Sequence, residues 1–272
     1  MPIITLTTDF GTRNPDVGYL KGRILQQIPQ ANLVDISHDL LPFDTDEAVY
    51  IVKNALKSFP PRSIHLIGLD SETHTENYPV LAVAGEHFFL SNDNGILPAA
   101  FDEISFKIYR LAFKKPDVFM NEHLSAIQKI LKGVAPEKIG IPTENYKKIK
   151  LSKPSLRYDE KNRKVSMITP KVIYNDNYGN AVFNLKQEEF EEWRANRKFH
   201  IDLDRYNRLD KISDFYNDIN ERPLESAAGS IFAHFNHFGY FEIYVYKSNI
   251  QTGGADTLLR LRKNSYINIM FE

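Results

Sequence analysis

The sequence predicts an α/β N-terminal domain with a mainly parallel sheet, followed by a C-terminal all-β barrel domain. First, an apolar run that starts at Ile3 ends at Asp9 and Gly11, and a helical pattern follows over residues 17–28. This strand–turn–helix order opens an α/β unit. Second, strand and helix patterns alternate as far as the strand over 63–69, and a further helical pattern ends at residue 133. Third, short strands separated by turns dominate after residue 165, which is typical of a small barrel or sandwich.

The elements of the first domain follow from apolar periodicity and from the residues that interrupt it. Pro29, Pro60 and Gly133 each end a helical pattern, because proline and glycine do not continue a helix. Asp44 or Thr45 is expected to cap the second helix. The predicted elements are a strand from residue 3, a helix over 17–28, a strand over 32–37, a helix from about 44 to 59, a strand over 63–69, a hairpin or two adjacent strands over 79–90, a strand over 104–111 and a helix over 122–133.

The second domain is predicted to contain mostly short strands. The chain of 272 residues exceeds the usual size of one core, which favours two domains. We therefore predict an α/β domain over residues 1–150, a linker over 151–164, where apolar periodicity is lost, and a barrel over 165–272. Its predicted elements are strands over 165–174 and 181–185 around a turn, a helix over 188–196, and strands over 229–235, 240–246 and 266–271.

The composition is that of an ordinary globular protein. The formal net charge of −1 shows no basic footprint for nucleic acid or for a membrane surface. No apolar run approaches the roughly 20 residues that a membrane helix needs. The chain has no cysteine and no leader-like N-terminus, so we expect a cytoplasmic protein without disulfides or thiolate chemistry.

Two acidic residues follow predicted strands of the first domain. Asp9 ends the first strand and Asp70 ends the strand over 63–69. Ligands of α/β folds gather at the carboxyl ends of parallel strands, and a carboxylate there can accept hydrogen bonds from two ligand hydroxyls. The alternative is that each acid only caps its own loop.

Several common catalytic motifs are absent from the sequence. No G-x-G-x-x-G follows the first strand, and no P-loop, G-x-S-x-G or H-E-x-x-H motif occurs. The histidines are scattered without metal-ligand spacing, so we expect no metal site and no metal or redox cofactor.

A set of short motifs occurs in a characteristic order along the chain. They are residues 7–11 (TTDFG), 34–38 (VDISH), 42–44 (PFD), 93–97 (DNGIL), and Asp176 with Gly179 and Asn180. Together they resemble the S-adenosyl-L-methionine (SAM) hydroxide adenosyltransferase family, also called SAM hydrolases, which is related to SAM-dependent chlorinases and fluorinases. The resemblance implies an α/β domain joined to a β-barrel. It also implies a homotrimer that binds an adenosyl ligand between one subunit's first domain and its neighbour's second.

The resemblance assigns roles to individual residues. Asp9 matches the acid that holds the ribose hydroxyls, and Asp70 matches the acid that handles the attacking water. Phe43 falls where an aromatic residue lines the nucleoside pocket, although it could equally be an apolar staple beside the helix start. The matches in the second domain are Asp176 and Asn180 for the amino-acid end and nucleoside, and His237, Glu242 and Asn249 for the adenine, with His237 standing where serine is usual.

Two departures from the family pattern fall on the chemistry. Asn77 stands where the hydrolases have an arginine, and Met120 stands where they have a histidine. His74 and His123 are close in sequence and could compensate. Asp70 is the one member of the implied catalytic triad that this chain retains.

The sequence supports one main hypothesis and leaves others open. The main hypothesis is an enzyme that cleaves SAM with water to adenosine and L-methionine, with Asp70 orienting the water. The alternative is a SAM- or adenosine-binding pseudoenzyme or sensor that has lost turnover, which Asn77 and Met120 favour. A family enzyme with a related adenosyl substrate or another nucleophile is the third.

Overall fold

The structure is a computed structural model that describes residues 1–101, 104–114, 120–161, 163–214, 227–248 and 253–272. The chain divides into two compact units, Met1–Leu151 and Ser152–Glu272. No helix in the described ranges is long and apolar enough to cross a membrane.

The first unit contains seven strands and five α-helices within its described residues. In chain order they are β1 (Ile3–Thr8), α1 (Asp16–Gln27), β2 (Asn32–Ser37), α2 (Thr45–Ala55), β3 (Ile64–Gly68), β4 (Pro79–Ala84), β5 (His87–Asn92), α3 (Ile96–Ala100), β6 (Phe106–Arg110), α4 (Asn121–Leu131), α5 (Pro136–Ile139) and β7 (Ile141–Thr143). A 3₁₀ turn, Leu56–Ser58, extends α2 towards the predicted stop at Pro60.

The strands of this unit form one mixed sheet in the order β2-β1-β3-β5-β4-β6-β7. The pairs β1–β2, β1–β3 and β3–β5 are parallel, whereas β4–β5, β4–β6 and β6–β7 are antiparallel. The prediction of a mainly parallel sheet is therefore corrected to a mixed sheet. The reason is the tight turn at Gly85, with φ of +57°, which makes β4 and β5 a hairpin and so reverses the direction of the chain.

Helices cover both faces of the mixed sheet. Leu20 of α1 and Leu124 of α4 belong to the apolar cluster on one face. Val52 of α2 and Leu97 of α3 belong to the cluster on the other face. The sheet is thus buried on both sides, and its strand ends are the part left to form a site.

The second unit is mainly antiparallel β-structure. Its elements are β8 (Ser155–Tyr158), β9 (Val165–Thr169), β10 (Val172–Asn175), β11 (Ala181–Lys186), α6 (Gln187–Arg194), β12 (Phe199–Asp202), β13 (Arg208–Leu209), β14 (Ile231–Phe235), β15 (Tyr240–Val245), α7 (Ala255–Leu258) and β16 (Asn268–Phe271). They form a four-stranded sheet, β10-β11-β15-β14, and a five-stranded sheet, β13-β12-β16-β9-β8. Among the described strands neither sheet closes on itself, so the structure shows an antiparallel β region without the predicted closed barrel.

Two local predictions in this region are wrong in detail. The run predicted as one strand over 165–174 is split into β9 and β10, which join different sheets, because Pro170 between them has no N–H to donate to a ladder. The predicted linker over 151–164 contains β8, which pairs with β9. Leu156 of β8 packs against the core of the second unit, so this segment is part of the fold.

Candidate functional site

The carboxyl ends of β1 and β3 bring two predicted site residues together. The two strands are parallel neighbours with Thr8 opposite Gly68, so Asp9 and Asp70 follow them at the same edge. Asp9 Oδ2 accepts a hydrogen bond of 3.2 Å from the backbone N–H of Asp70. The contact joins residues that are 61 positions apart in sequence, so the Asp9 carboxylate lies beside the backbone of Asp70.

The electrostatic environment of Asp9 penalises its charge. Burial raises the pKa of the Asp9 carboxyl, and the negative charge of Asp70 adds to this effect against the lowering by backbone hydrogen bonds. One lone pair of the carboxylate is used by the Asp70 amide. Since a carboxylate has about four such positions, Asp9 keeps acceptor capacity for a pair of ligand hydroxyls.

A cavity of about 130 Å³ lies beside Asp70. Its walls include Leu41, Phe43, Ala48, Leu69 and Asn94. Phe43 is 83% exposed and has a φ of +62°, which is a strained conformation for a bulky residue. An exposed ring is not packed as an apolar staple, so Phe43 is an open aromatic wall of the cavity.

Asn94 is a cavity residue that sequence reasoning did not select. Its side-chain amide donates to the carbonyl oxygen of Leu69 at 2.7 Å, and its Oδ1 accepts from the N–H of Ile96 at the start of α3. Asn94 therefore ties the end of β3 to α3 next to Asp70. The signal was present in the dense turn before Gly95, which has a φ of +88°.

The loop after Asp70 is held by Asn77. The Asn77 side chain is 1% exposed, and its amide donates to the carbonyl oxygens of Asp70, at 2.8 Å, and Glu72, at 2.9 Å. Asp70 itself has a φ of +46°, a conformation that aspartate and asparagine tolerate better than most residues. Asn77 thus stabilises the unusual backbone that presents Asp70.

Met120 and the two nearby histidines have structural contacts. Met120 is fully buried and its Sδ packs close to Gly68, 3.1 Å from where a Cβ would lie. His123 is also fully buried, and its Nε2 lies 2.7 Å from the carbonyl oxygen of Ser91. The Nδ1 of His74 accepts from the N–H of Glu76 at 3.2 Å. These contacts direct His123 to β5 and His74 to its own loop.

In the second unit, Asp176 and Asn180 form a closed turn between β10 and β11. Asp176 Oδ1 accepts from the backbone N–H groups of Tyr178, at 2.8 Å, and Asn180, at 2.9 Å. Asp176 Oδ2 accepts from the Asn180 side-chain amide at 2.9 Å. Burial raises the pKa of Asp176, and the charge of Glu242 adds to this effect against the lowering by those hydrogen bonds.

Glu242 lies on β15, which is flanked by β11 and β14. It is 8% exposed, and its Oε2 accepts from the side-chain amide of Asn236 at 3.0 Å. His237 is exposed, and its ring lies 3.7 Å from that of Phe238, centroid to centroid. Asn249 lies outside the described residues. The second unit therefore brings the carboxylates of Asp176 and Glu242 near each other, with the Asn180 amide bonded to Asp176.

No group of three histidine, aspartate or glutamate side chains suited to a metal ion occurs in the part of the chain that the structure describes. The polar side chains at the carboxyl ends of β1 and β3, and those around Asp176 in the second unit, are carboxylates and amides. Such groups are suited to hydroxyl and amine donors of a small ligand.

Solved structures share this fold. One, described as an uncharacterized conserved protein from Thermotoga maritima, superimposes with a TM-score of 0.74 at 21% identity and covers 98% of this chain and 99% of its own. A second, a conserved hypothetical protein from Thermus thermophilus, superimposes with a TM-score of 0.66 at 22% identity over the whole of both chains. At these identities the likeness shows the fold alone.

Sequence relatives carry enzyme names. The (R)-S-adenosyl-L-methionine hydrolase of Methanocaldococcus jannaschii is 28% identical over 201 residues, which are 70% of this chain and 69% of that enzyme. The enzyme of the same name from Thermus thermophilus is 30% identical over 93 residues, or 34% of this chain and 36% of its own length. A fluorinase from an Actinoplanes species is 30% identical over 63 residues, covering 23% of this chain and 21% of that enzyme.

Family models match both units. The SAM hydroxide adenosyltransferase N-terminal domain matches residues 4–136, and the corresponding C-terminal domain matches residues 170–268. These two ranges cover most of the chain and include every described site residue discussed above. The chain therefore belongs to the SAM hydroxide adenosyltransferase family.

Proposed function

We propose that this protein cleaves SAM with water to adenosine and L-methionine. The observation that carries the proposal is the pair of carboxylates at the ends of β1 and β3, joined through the Asp70 amide, beside a cavity with an exposed aromatic wall. The hydrolase names of the relatives support the same reaction class.

The reaction needs little from the protein beyond orientation and one proton acceptor. The oxygen of water attacks the 5′ carbon of SAM, the bond from that carbon to sulfur breaks, and its electron pair neutralises the sulfonium to give methionine. The proton of the attacking water passes to a base. In our proposal the Asp70 carboxylate holds the water in line with the departing sulfur and takes this proton.

The other site residues bind the substrate. Asp9 accepts hydrogen bonds from the two ribose hydroxyls, and Phe43 offers its exposed ring to the nucleoside. Asp176, with Asn180, holds the amino-acid end of the ligand, and the Glu242 region approaches the adenine. Asp176 uses three of about four lone-pair positions on its own turn, so it has room for one further donor, such as the substrate ammonium.

We further propose that the active species is a homotrimer, in which the adenosyl ligand is shared between the first unit of one subunit and the second unit of its neighbour. Substitutions that hold the protein monomeric should then abolish both SAM binding and SAM cleavage. Sedimentation would verify the monomer and calorimetry would measure its binding. Full binding by a verified monomer would contradict the shared site.

A binding protein without turnover is the second candidate function. The observation that favours it is the structural use of Asn77 and Met120. The first closes the loop after Asp70 and the second fills the core, so neither takes part in a proton relay with Asp70. Under this hypothesis the protein binds SAM or adenosine as a sensor.

One experiment separates the two candidates. The full chain is incubated with SAM, and adenosine and methionine are quantified by chromatography against a protein-free sample. We expect adenosine to form faster than in the protein-free sample, in equal amounts with methionine. Cleavage no faster than the spontaneous decay of SAM, in protein shown by calorimetry to bind SAM, would exclude the hydrolase and leave the binding protein.

Asp9→Asn should move ligand affinity and protein stability in opposite directions. The amide keeps an acceptor for the Asp70 N–H but loses charge, so binding of adenosine should weaken by about 1.5–3 kcal/mol. The pKa of Asp9 is raised by burial, so the ionised form is penalised in the folded state. The contribution of the Asp9 carboxyl to folding stability is therefore greatest below the pKa that it has in the unfolded chain. This contribution is lost as the pH rises through the higher pKa that the carboxyl has in the folded protein.

The stability half of this prediction has a clear pH window. At neutral pH Asp9→Asn should raise the melting temperature, and the gain should vanish below about pH 3.8, the ordinary pKa of the group. Calorimetry measures both effects. Asp9→Ala is the control, because it also loses the hydrogen bond to Asp70 and should gain less stability. Unchanged adenosine affinity in both variants would remove Asp9 from the site.

A further inference from the structure

A chain of polar side chains leads from the surface to the residue before Asp9. The Oγ1 of Thr8 lies 2.8 Å from Nδ1 of His38, and the Nε2 of His38 lies 3.1 Å from Oδ1 of Asp35. The other oxygen of Asp35 pairs with Lys21 at 2.5 Å. Thr8 is fully buried and His38 is 5% exposed, whereas the Asp35–Lys21 end lies nearer the surface.

The charge on Asp35 orients this chain. Partial burial alone would raise the pKa of Asp35, but the hydrogen bond from Lys21 and the neighbouring His38 hold it below its usual range. The Nε2 of His38 faces Asp35 at 3.1 Å without reaching hydrogen-bond geometry, so we assign the ring tautomer from its neighbours. A carboxylate only accepts, which places the proton of the neutral ring on Nε2 and leaves Nδ1 to accept from the Thr8 hydroxyl.

Residues 38 and 39 also hold the end of the turn that carries Asp9. The carbonyl oxygen of His38 accepts from the N–H of Gly11 at 2.7 Å, and Gly11 has a φ of +75°. The next residue, Asp39, accepts from the N–H of Thr12 at 2.9 Å. The turn that carries Asp9 is thus attached to residues 38 and 39 at its beginning and at its end.

We infer that His38 is a positioning residue for the ribose-binding carboxylate. Through the Thr8 hydroxyl on one side and the Gly11 N–H on the other, it fixes the turn so that Asp9 reaches both the Asp70 amide and the ligand. This inference rests on the proposed function for the identity of the ligand, an adenosyl compound. His38 acts through its neighbours and is not assigned to the reacting atoms.

The chain contains a matched pair for comparison on the other side of β1. Thr5 and His65 are register partners on β1 and β3, and the Thr5 Oγ1 lies 2.8 Å from the His65 Nδ1. Both residues are fully buried. This second threonine–histidine pair has the same Oγ1–Nδ1 distance within the same sheet, but it lies three residues further back along β1 than Thr8. Its loss therefore measures the effect of removing a buried threonine–histidine contact that does not adjoin Asp9.

The experiment compares Thr8→Val and His38→Ala with Thr5→Val and His65→Ala in the full chain. Adenosine affinity is measured by calorimetry, and exchange of the Asp70 amide is followed by NMR in the ligand-free protein. The first two substitutions should weaken adenosine binding about tenfold and speed the Asp70 exchange about tenfold. The comparison pair should lower thermal stability by a similar amount but change adenosine affinity by less than about twofold. His38→Asn, whose side chain can still bond to Thr8, should recover part of the affinity.

The outcomes are distinguishable from those that test the proposed function. Equal effects of the two pairs on affinity and on Asp70 exchange would overturn the inference and make His38 a core residue. If His38→Ala does not fold, the isosteric Thr8→Val decides in its place. A wild type that binds adenosine without cleaving SAM overturns the hydrolase proposal alone. If the wild type binds no adenosine, the proposed ligand is wrong, and the exchange rate of the Asp70 amide still decides whether His38 positions the turn.

Discussion

Asp70→Asn is expected to lower the rate of SAM cleavage at least about a hundredfold while leaving SAM affinity almost unchanged. Asparagine has the shape of aspartate and tolerates the positive φ of +46° at this position, so the loop should keep its conformation. The amide can still orient a water, but it cannot accept the proton that the water loses. Single-turnover kinetics would give the rate of the chemical step, and calorimetry would give the affinity.

Asp44→Asn provides the matched control for this prediction. Asp44 lines the same cavity, but its carboxylate caps α2 by accepting from the N–H of Glu47 at 3.1 Å. Asparagine is an equally good cap, so this variant should keep both its stability and its activity. A normal rate in Asp70→Asn would exclude Asp70 as the base. An equal loss in Asp44→Asn would mean that cleavage depends on cavity charge in general.

Asn77→Arg is expected to destabilise the first unit by about 3–5 kcal/mol without raising the rate of cleavage. The substitution would restore the arginine of the family pattern. However, Asn77 is 1% exposed and its amide supplies hydrogen bonds to the carbonyl oxygens of Asp70 and Glu72. An arginine would replace these bonds with a buried charge that has no prepared partner. Urea denaturation and the chromatographic assay measure the two effects.

Glu76→Arg is the control, because Glu76 is the exposed neighbour on the same loop and should accept an arginine with little change in stability. Adding Met120→His to Asn77→Arg should deepen the destabilisation, since Met120 is fully buried against Gly68. A double variant that is stable and cleaves SAM faster would show that this chain has room for the family arginine and histidine, contrary to our expectation.

The two departures from the family pattern have a common physical meaning. Each places a residue suited to structure where the hydrolases have a residue suited to chemistry. The loop after Asp70 is closed by an amide that holds carbonyl groups, and the core next to Gly68 is filled by a thioether. Under our proposal, Asp70 is the one member of the implied triad that keeps its family role, and the protein cleaves SAM slowly with an oriented water.

The sequence by itself determined most of the local structure and the identity of the candidate acids. Periodicity and breakers predicted the four longest helices, α1, α2, α4 and α6, and most strands, because these signals act over about ten residues. The short helices α3, α5 and α7 span four or five residues and were not predicted. Asp44, one of the two residues expected to cap α2, accepts from the N–H of Glu47 as predicted. Asp9 and Asp70 were selected because each follows an apolar run. The fold class, apart from strand direction and closure of the barrel, followed from the same patterns.

Only the tertiary structure decided how distant residues meet. The contact between Asp9 and Asp70 depends on β1 and β3 being parallel neighbours, and the Thr8–His38 contact depends on the pairing of β1 with β2. Sheet register of this kind is set by packing over the whole unit and leaves no trace in a short window. The burial of Asn77 was likewise invisible in a polar loop, since the hydrogen bonds that bury a polar side chain are made only when the loop folds back on itself.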